Sequence, residues 1–588
     1  MRISEYIVEF LKELGVRYVF GLQGSGTAVQ IIDALGEATG IDYVCTLHEQ
    51  AAGMAADSYS QVTCNLGACV ADCGPGASNL MTCVAGSFYN SNPVIYIIGQ
   101  PQLALLRKKS KIRHYAYHEL DLNIFKPICK YLSFIIDKER VKYEFEKAVY
   151  IATSGRPGPV VIAIPDDVTW LQIDPKSQKG YTPKKEKALV LNTQIKSIIS
   201  SFNESSRPLI VAGNGVKCAN ATNELRGIVK KLHCPVALTW GAKDILDFDN
   251  ELNVSSFGVQ GTRAGNFAIQ NADLIISIGT RLDNSETGFP KANFARGAKI
   301  ISIDVDSEEL NKYQEYDFSV FEKIKCDAKV FINLLNNAVQ KTSIKLHEEW
   351  IRKIVYWKNK YPVCLKDYYL EPTVNPYVFV EELSNILNGD EIIVTDTSTP
   401  RNYMFQAFKN KGHQRMITWL NYACLGYGLP GGIGACFGSD NTVVAIMGDG
   451  GLQFNIQELS TVIYNNLNLK VIVFDNGGYA NIQHTQNNFI GRHHGTDRST
   501  GLPIPKSEEI AKAYGFPIII IDNNEDMHAK LLEVMSTKGP VYCSVVIPID
   551  CWTTPCRVGK DPIEDMTPKL NRNEFYKEMI VEPLDKEL

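Results

Sequence analysis

The chain has 588 residues, 45% of them hydrophobic and 21% charged, with a net charge of -5. That length exceeds what one hydrophobic core fills, and the composition is that of a globular protein rather than a disordered one. A weak acidic balance excludes the basic footprint of a nucleic-acid binder. Fifteen cysteines without a CxxC pair read as reduced core thiols.

The N-terminal stretch repeats Ile3, Ile7, Phe10, Leu11 and Leu14 at helical spacing. Glu5, Glu9 and Glu13 interrupt it, so it is no signal peptide. No apolar run is long enough for a bilayer, and the expected location is cytoplasmic, with no membrane partner. Short runs apolar on both faces follow at Val94–Ile98, Val160–Ile164, Leu274–Ile278, Val443–Met447 and Val471–Phe474. They alternate with helical stretches, which predicts α/β domains built as doubly wound parallel sheets. Polar breaks near 171–187 and 341–373 divide the chain into 1–170, 190–345 and 365–550, with a tail at 551–588. The tail carries Pro555, Pro562, Pro568 and Pro583 and is expected to wrap the surface, with a closing flap as an alternative.

Two clusters stand at the ends of strand-like runs. Gly448-Asp449-Gly450-Gly451 opens an expected helix carrying Ile456, Leu459, Val462 and Ile463. The next run ends in Asp475-Asn476-Gly477-Gly478-Tyr479-Ala480. Parallel sheets bind ligands at strand carboxyl ends. Asp449, the Asn476 amide oxygen and the Gly478 carbonyl are hard oxygens of the kind Mg²⁺ takes, and Gly450 and Gly451 let N–H groups approach a diphosphate. A lone Gly-Asp-Gly is only a tight turn. Paired at this spacing with Asp-Asn-Gly, it resembles the thiamine diphosphate-dependent enzyme superfamily, within it the acetolactate synthase-like group. The group's motif ends in Asn-Asn, and here Asp475 takes the first place.

The resemblance extends through the chain. Thr46-Leu47-His48-Glu49-Gln50-Ala51-Ala52-Gly53 matches the family's glutamate motif, so Glu49 is expected in an apolar pocket, activating the cofactor through its aminopyrimidine ring. Gly74-Pro75-Gly76-Ala77-Ser78-Asn79 matches a turn packed near the cofactor, with a helix expected from Ser78, and Gly74 and Asn79 are candidate contacts. Gly155-Arg156-Pro157-Gly158 reads as architectural. Ala423 to Gly434 matches the segment that holds the cofactor bent, with the Ala423 carbonyl as acceptor and Leu425 as the wedge between its rings. Thr397 and Ser398 are expected phosphate contacts, and Tyr479 and Ala480 further cofactor neighbours. In the middle third, Gly213-Asn214-Gly215, Gly279-Thr280-Arg281 and Ile303-Asp304 match a nucleotide crevice in which many relatives hold FAD. Arg281 is then expected at a diphosphate and Asp304 at a ribose or adenine, while Ser285 stands where a second basic residue is usual. A structural domain without flavin is the alternative.

The match loosens where substrate choice is expected. A basic run, Arg107-Lys108-Lys109, leads to His114-Tyr115-Ala116-Tyr117-His118-Glu119, with Tyr117-His118 in place of Phe-Gln. His114 and His118 are candidate proton donors or acceptors, with surface histidines as the alternative. Gln23 and Asn481 also depart from the usual residues. The tail resembles homologues thought to serve surface-sugar pathways. The resemblance implies a carboligase that decarboxylates a 2-keto acid, pyruvate first, and passes the acyl carbanion to a second carbonyl, a keto sugar being one option. A decarboxylase releasing an aldehyde and a catalytically silent nucleotide-binding paralogue are the alternatives. It also implies a homodimer or homotetramer.

Overall fold

The computed structural model describes residues 1–108, 111–113, 115–184, 191–316 and 318–584. Strands and helices alternate in three six-stranded sheets, each parallel throughout. The first contains β1 (Tyr18–Gly21), β2 (Asp42–Cys45), β3 (Gly67–Ala71), β4 (Val94–Gln100), β5 (Tyr131–Phe134) and β6 (Val160–Pro165), in the order β2-β1-β3-β4-β6-β5. The second contains β7 (Pro208–Ala212), β8 (Val236–Leu238), β9 (Asn253–Ser256), β10 (Leu274–Ile278), β11 (Lys299–Asp304) and β12 (Glu322–Lys325), in the order β12-β11-β10-β7-β8-β9. The third contains β13 (Ile392–Thr395), β14 (Arg415–Thr418), β15 (Val443–Gly448), β16 (Leu469–Asp475), β17 (Ile518–Ile521) and β18 (Val541–Val546), in the order β14-β13-β15-β16-β18-β17.

Every residue of β3, β4, β6, β7 and β10 is buried, because helices cover both faces of each sheet. No helix among the described residues is long and apolar enough to cross a membrane. All fifteen cysteines are free thiols.

One apolar core runs from the first sheet into the third, joining Phe20, Tyr59 and Tyr96 to Trp419, Tyr427 and Val471. Its centre is the crossing of helix Glu49–Thr63 with helix Gly428–Gly438. The backbones are so close that a methyl group on Gly434 would lie 2.0 Å from the Ala55 carbonyl oxygen. Beside this crossing Asp57 is fully buried. It accepts from Gln61 Nε2 (2.8 Å), Ser87 Oγ (2.7 Å), Asn92 Nδ2 (2.9 Å), Trp419 Nε1 (2.8 Å) and the Tyr427 hydroxyl (3.2 Å). Burial raises its carboxyl, and the ring of donors offsets part of that cost. The acid therefore locks the first sheet to the third.

Two local expectations change. The helix after β3 begins at Pro75, three residues before Ser78, because proline fits a first helical turn that lacks N–H acceptors. The stretch after β15 is not one helix: Asp449–Leu452 ends, a short 3₁₀ turn Ile456–Glu458 follows, and Leu459–Tyr464 resumes. The tail begins against helix Thr399–Ala407, where Gln406 Nε2 donates to the Pro555 carbonyl at 2.6 Å, and ends against helix Glu348–Lys360. Its helix Arg572–Glu578 brings Glu578 to Lys353 Nζ (2.6 Å), Trp357 Nε1 (2.8 Å), Lys360 Nζ (2.8 Å) and the Tyr356 hydroxyl (3.0 Å).

Candidate active site

In the third sheet β15 and β16 are hydrogen-bonded neighbours with Gly448 opposite Phe474, so the two strand-end clusters lie side by side. Asp449 is 2% exposed. Its Oδ1 accepts from Gly450 N at 2.6 Å and its Oδ2 from Gly478 N at 3.0 Å. Asn476 Oδ1 accepts from the same Gly478 N at 3.1 Å. Burial, then the Asp475 carboxylate, push the Asp449 carboxyl up to about 7. Two acids share this corner with one amide oxygen, which suits a divalent cation bound through few protein groups. Among the described residues no group of three His, Cys, Asp or Glu side chains forms a metal cluster. The donor set here contains only one such ligand, so the two observations agree.

The glycines also have packing reasons. A methyl on Gly450 would lie 2.2 Å from the Tyr479 ring, and one on Gly451 would lie 2.7 Å from Asp396 Oδ2. Tyr479 is half-buried, and buried Ala480 opens helix Ala480–Phe489.

Asp396, at the end of β13, is the hub of the remaining segments. It is 1% exposed, and burial pushes its carboxyl up to about 6. It accepts from Thr397 N at 2.7 Å and Gly426 N at 3.0 Å. The Gly426 carbonyl accepts from Asn455 Nδ2 at 2.8 Å, while Asn455 Oδ1 is buried with no partner. Asp396 thereby ties the Thr397-Ser398 turn to the segment that carries Ala423 and Leu425, and all four residues are half-buried. Ser398 has φ 73° and ψ -148°, and Ala423 has φ 50°. Both departures cost energy, of the order of 1–3 kcal/mol for the Ser398 conformation, and such strain concentrates at ligand clamps.

The second group of residues stands on the first sheet. His48 caps helix Glu49–Thr63, its Nδ1 accepting from Gln50 N at 3.1 Å, which places Glu49 in the first turn. Glu49 Oε2 accepts from Asn79 Nδ2 at 3.0 Å, and a methyl on Gly76 would lie 3.1 Å from Glu49 Oε1. The apolar pocket expected around Glu49 is not closed within one chain, where the residue is half-exposed. Gly74, at φ 62°, meets the His118 backbone: a methyl there would lie 2.9 Å from the His118 carbonyl oxygen. His118 is half-buried under the stacked Tyr117 ring, centroids 3.8 Å apart. Glu49, Gly74, Asn79 and His118 therefore form one cluster. His114 lies outside the described residues. Gln23 is exposed and Asn481 half-buried.

The sequence reading missed Glu458. This fully buried acid accepts from the Leu47 N–H at 3.0 Å and Thr461 Oγ1 at 2.6 Å. It ties the strand-end turn before Glu49 to the helix after Asp449. The signal was a Glu nine residues after Asp449, which spacing alone does not distinguish from a surface acid.

A cavity of about 430 Å³ crosses the carboxyl ends of β7, β10 and β11, the point where the second sheet's strand order reverses. Arg156, Asn214, Arg281, Glu286 and Asp304 line it. Burial pushes Asp304 up to about 6 and Glu286 up to about 8. Arg281 donates to the Tyr89 carbonyl at 2.6 Å. Arg156 joins Ser91 (2.9 Å) to Asp306 (3.2 Å) and Glu309 (2.9 Å), an architectural link from the first sheet to the second.

Residues 1–123, 195–333 and 396–545 match, in turn, the family models of the N-terminal TPP binding domain, the central domain and the C-terminal TPP binding domain of thiamine pyrophosphate enzymes. The fold and its paired strand-end turns are those of a thiamine pyrophosphate enzyme. A probable acetolactate synthase large subunit of Methanocaldococcus jannaschii is 32% identical over 566 residues, 93% of this chain and 92% of the relative. Acetolactate synthase 2, chloroplastic, of Nicotiana tabacum is 30% identical over 562 residues, 93% of this chain and 82% of the relative. The acetolactate synthase large subunit of Lactococcus lactis is 28% identical over 551 residues, 92% of each. The chain belongs to the acetolactate synthase family and is a thiamine diphosphate-dependent, acetolactate synthase-like carboligase.

Proposed function

We propose that the chain decarboxylates a 2-keto acid, pyruvate first, and joins the retained acyl carbon to the carbonyl carbon of a second molecule, a keto sugar being the acceptor outside the 2-keto acids. Carbon dioxide leaves, its bonding electron pair stays on the acyl carbon, that pair forms the new carbon–carbon bond, and the acceptor oxygen takes a proton. Thiamine diphosphate supplies, when bound, the electron sink for that pair. The observation that carries this reading is the convergence of Asp449 Oδ2 and Asn476 Oδ1 on one N–H beside a strained phosphate-side turn.

Asp449, Asn476 and the Gly478 carbonyl would hold Mg²⁺. Gly450, Gly451, Thr397 and Ser398 would receive the diphosphate. Leu425 would be the wedge that holds the cofactor, the Ala423 carbonyl would accept from its amino group, and Tyr479 and Ala480 would complete the wall. Glu49, held by Asn79, would hydrogen-bond the cofactor's aminopyrimidine ring and share a proton with it, and His118 would serve the acceptor oxygen. In this reading 1–170 is the pyrimidine-binding domain, 190–345 the central domain and 365–550 the diphosphate-binding domain. The half-exposed Glu49 supports a homodimer, or a dimer of dimers, in which a second copy closes the site. FAD, where it is bound, belongs in the 430 Å³ cavity between Arg281 and Asp304, and a flavin absorbance spectrum of the purified protein checks it. The enzyme is placed in the cytoplasm.

Feeding pyruvate, with and without a keto sugar, and scoring carbon dioxide, acetolactate, acetaldehyde and acylated sugar tests the reaction. Acetaldehyde alone means a decarboxylase. No carbon dioxide from any 2-keto acid, with cofactor and Mg²⁺ present, overturns the reading.

A further inference from the structure

A second cavity, of about 260 Å³, lies between β9 of the second sheet and helices Glu348–Lys360, Pro376–Ile386 and Thr399–Ala407. None of the residues named above for thiamine diphosphate lines it. Phe248, Val363 and Ala407 give it apolar wall. Lys358, Lys409, Glu381 and Ser255 give it polar groups.

β9 pairs with β8 out of step. Asn253 lies opposite Val236 and Ser255 opposite Ala237, so Val254 is left over. A bulge of this kind re-aims the side chains beside it. Ser255 is 7% exposed, and its hydroxyl is buried with no partner. It also holds φ 85°. Among the described residues other than glycine, only Ser255 and Ser398 exceed φ 70°. Such a backbone costs energy, the unmet hydroxyl adds to the cost, and strain of this kind concentrates at ligand clamps.

The cations in the wall differ in their partners. Lys409 Nζ is paired with Glu381 at 2.7 Å. Lys358 forms no ion pair with a described residue; its Nζ donates to the carbonyls of Phe248 (3.2 Å) and Asn253 (2.7 Å). An ammonium carries three N–H groups, so one is left for an occupant of the cavity. Burial holds the Lys358 amine down to about 8, against the pull of Asp249. Burial, then the charge of Lys358, holds the buried Lys243 amine down to about 7. A cation kept from water without a carboxylate is costly, and an entering anion offsets that cost.

We propose that this cavity binds a small organic carboxylate, its oxygens held by the Lys358 ammonium and the Ser255 hydroxyl and its apolar body lying on Phe248, Val363 and Ala407.

The test uses the full chain saturated with thiamine diphosphate and Mg²⁺, and calorimetric titration with 3-methylbutanoate, its neutral amide and inorganic phosphate. The carboxylate is expected to bind, and the amide and phosphate to bind about tenfold more weakly or worse. Ser255→Ala removes a hydroxyl that no protein group uses. Without ligand its melting temperature should therefore match or exceed that of the unsubstituted chain, while its affinity for the carboxylate falls by about tenfold. Lys358→Met keeps the stem, removes the charge and lowers the affinity at least as far. The carboxylate raises the melting temperature of the unsubstituted chain more than that of either variant. No carboxylate binding to the unsubstituted chain, equal affinity in Ser255→Ala, or amide or phosphate binding as tightly as the carboxylate overturns the inference. Where Lys358→Met fails to fold, Ser255→Ala decides alone.

Discussion

Asp449 and Asn476 point their side-chain oxygens at one donor, the Gly478 N–H, at 3.0 and 3.1 Å. Both are hard oxygens of the kind a divalent cation takes, and would hold one there. Asp449→Asn keeps the shape and removes the charge. The expected outcome is a loss of Mg²⁺-dependent cofactor retention of roughly a hundredfold, comparable to disturbing other metal sites. Dialysis against a Mg²⁺ series, followed by thiamine diphosphate assay, measures it; unchanged retention removes Asp449 from the ligand set.

Glu49→Gln leaves the Asn79 contact possible and removes the proton site. Exchange of the cofactor's C2 proton, followed by NMR after acid quench, is expected to fall to the rate of free cofactor while binding persists. Normal exchange would sink the assignment.

The same two variants test where the site is closed. If Glu49 of one copy serves Asp449 of another, co-refolding the two inactive proteins rebuilds one intact site in each mixed dimer. Random pairing makes half the dimers mixed and half of their sites intact, so about a quarter of the unsubstituted activity returns. If both residues act within one chain, nothing returns.

The neighbouring strand ends 448–451 and 475–478 were legible because β15 and β16 are short apolar runs ending in glycine-rich turns, a local signal. So was the Glu49 turn. Asp57 was not: its donors come from positions 61, 87, 92, 419 and 427, and only the fold assembles them. Glu458 is the same kind of residue. The break after Leu452 was hidden because the apolar spacing of Ile456, Leu459, Val462 and Ile463 suits one helix as well as two pieces. The histidine loop showed its basic character, but not that Tyr117 covers His118.

Ser398 offers a test of stored strain. At φ 73° and ψ -148° it occupies a region nearly reserved for glycine. Ser398→Gly is expected to raise thermal stability by about 1 kcal/mol, less the entropy glycine adds to the unfolded chain. Ser398→Ala keeps the strain and loses the hydroxyl, so it lacks that gain. If the hydroxyl receives the diphosphate, both variants lower cofactor affinity alike. A melting series with and without cofactor separates the two effects, and glycine and alanine variants of equal stability would remove the strain argument.

The tail gives a pH prediction. Burial by itself raises the Glu578 carboxyl, but Lys353, Lys360, the Trp357 indole and the Tyr356 hydroxyl outweigh it and hold the group at about 2. A folded value below the ordinary 4.5 means stability that is fully present above pH 4.5 and is lost as pH falls toward 2. Solvent reaching Lys353 and Lys360 screens these pairs, so the contribution is on the order of 1–3 kcal/mol. The helix Arg572–Glu578 should therefore detach from helix Glu348–Lys360 on acidification, ahead of the buried cores, with Trp357 reporting through its fluorescence. Glu578→Gln removes the carboxylate from all four donors at neutral pH and should show the detached signal without acid. A variant whose fluorescence and acid transition match those of the unsubstituted chain would mean that the apolar contacts of Phe575, not the Glu578 cluster, hold the tail in place.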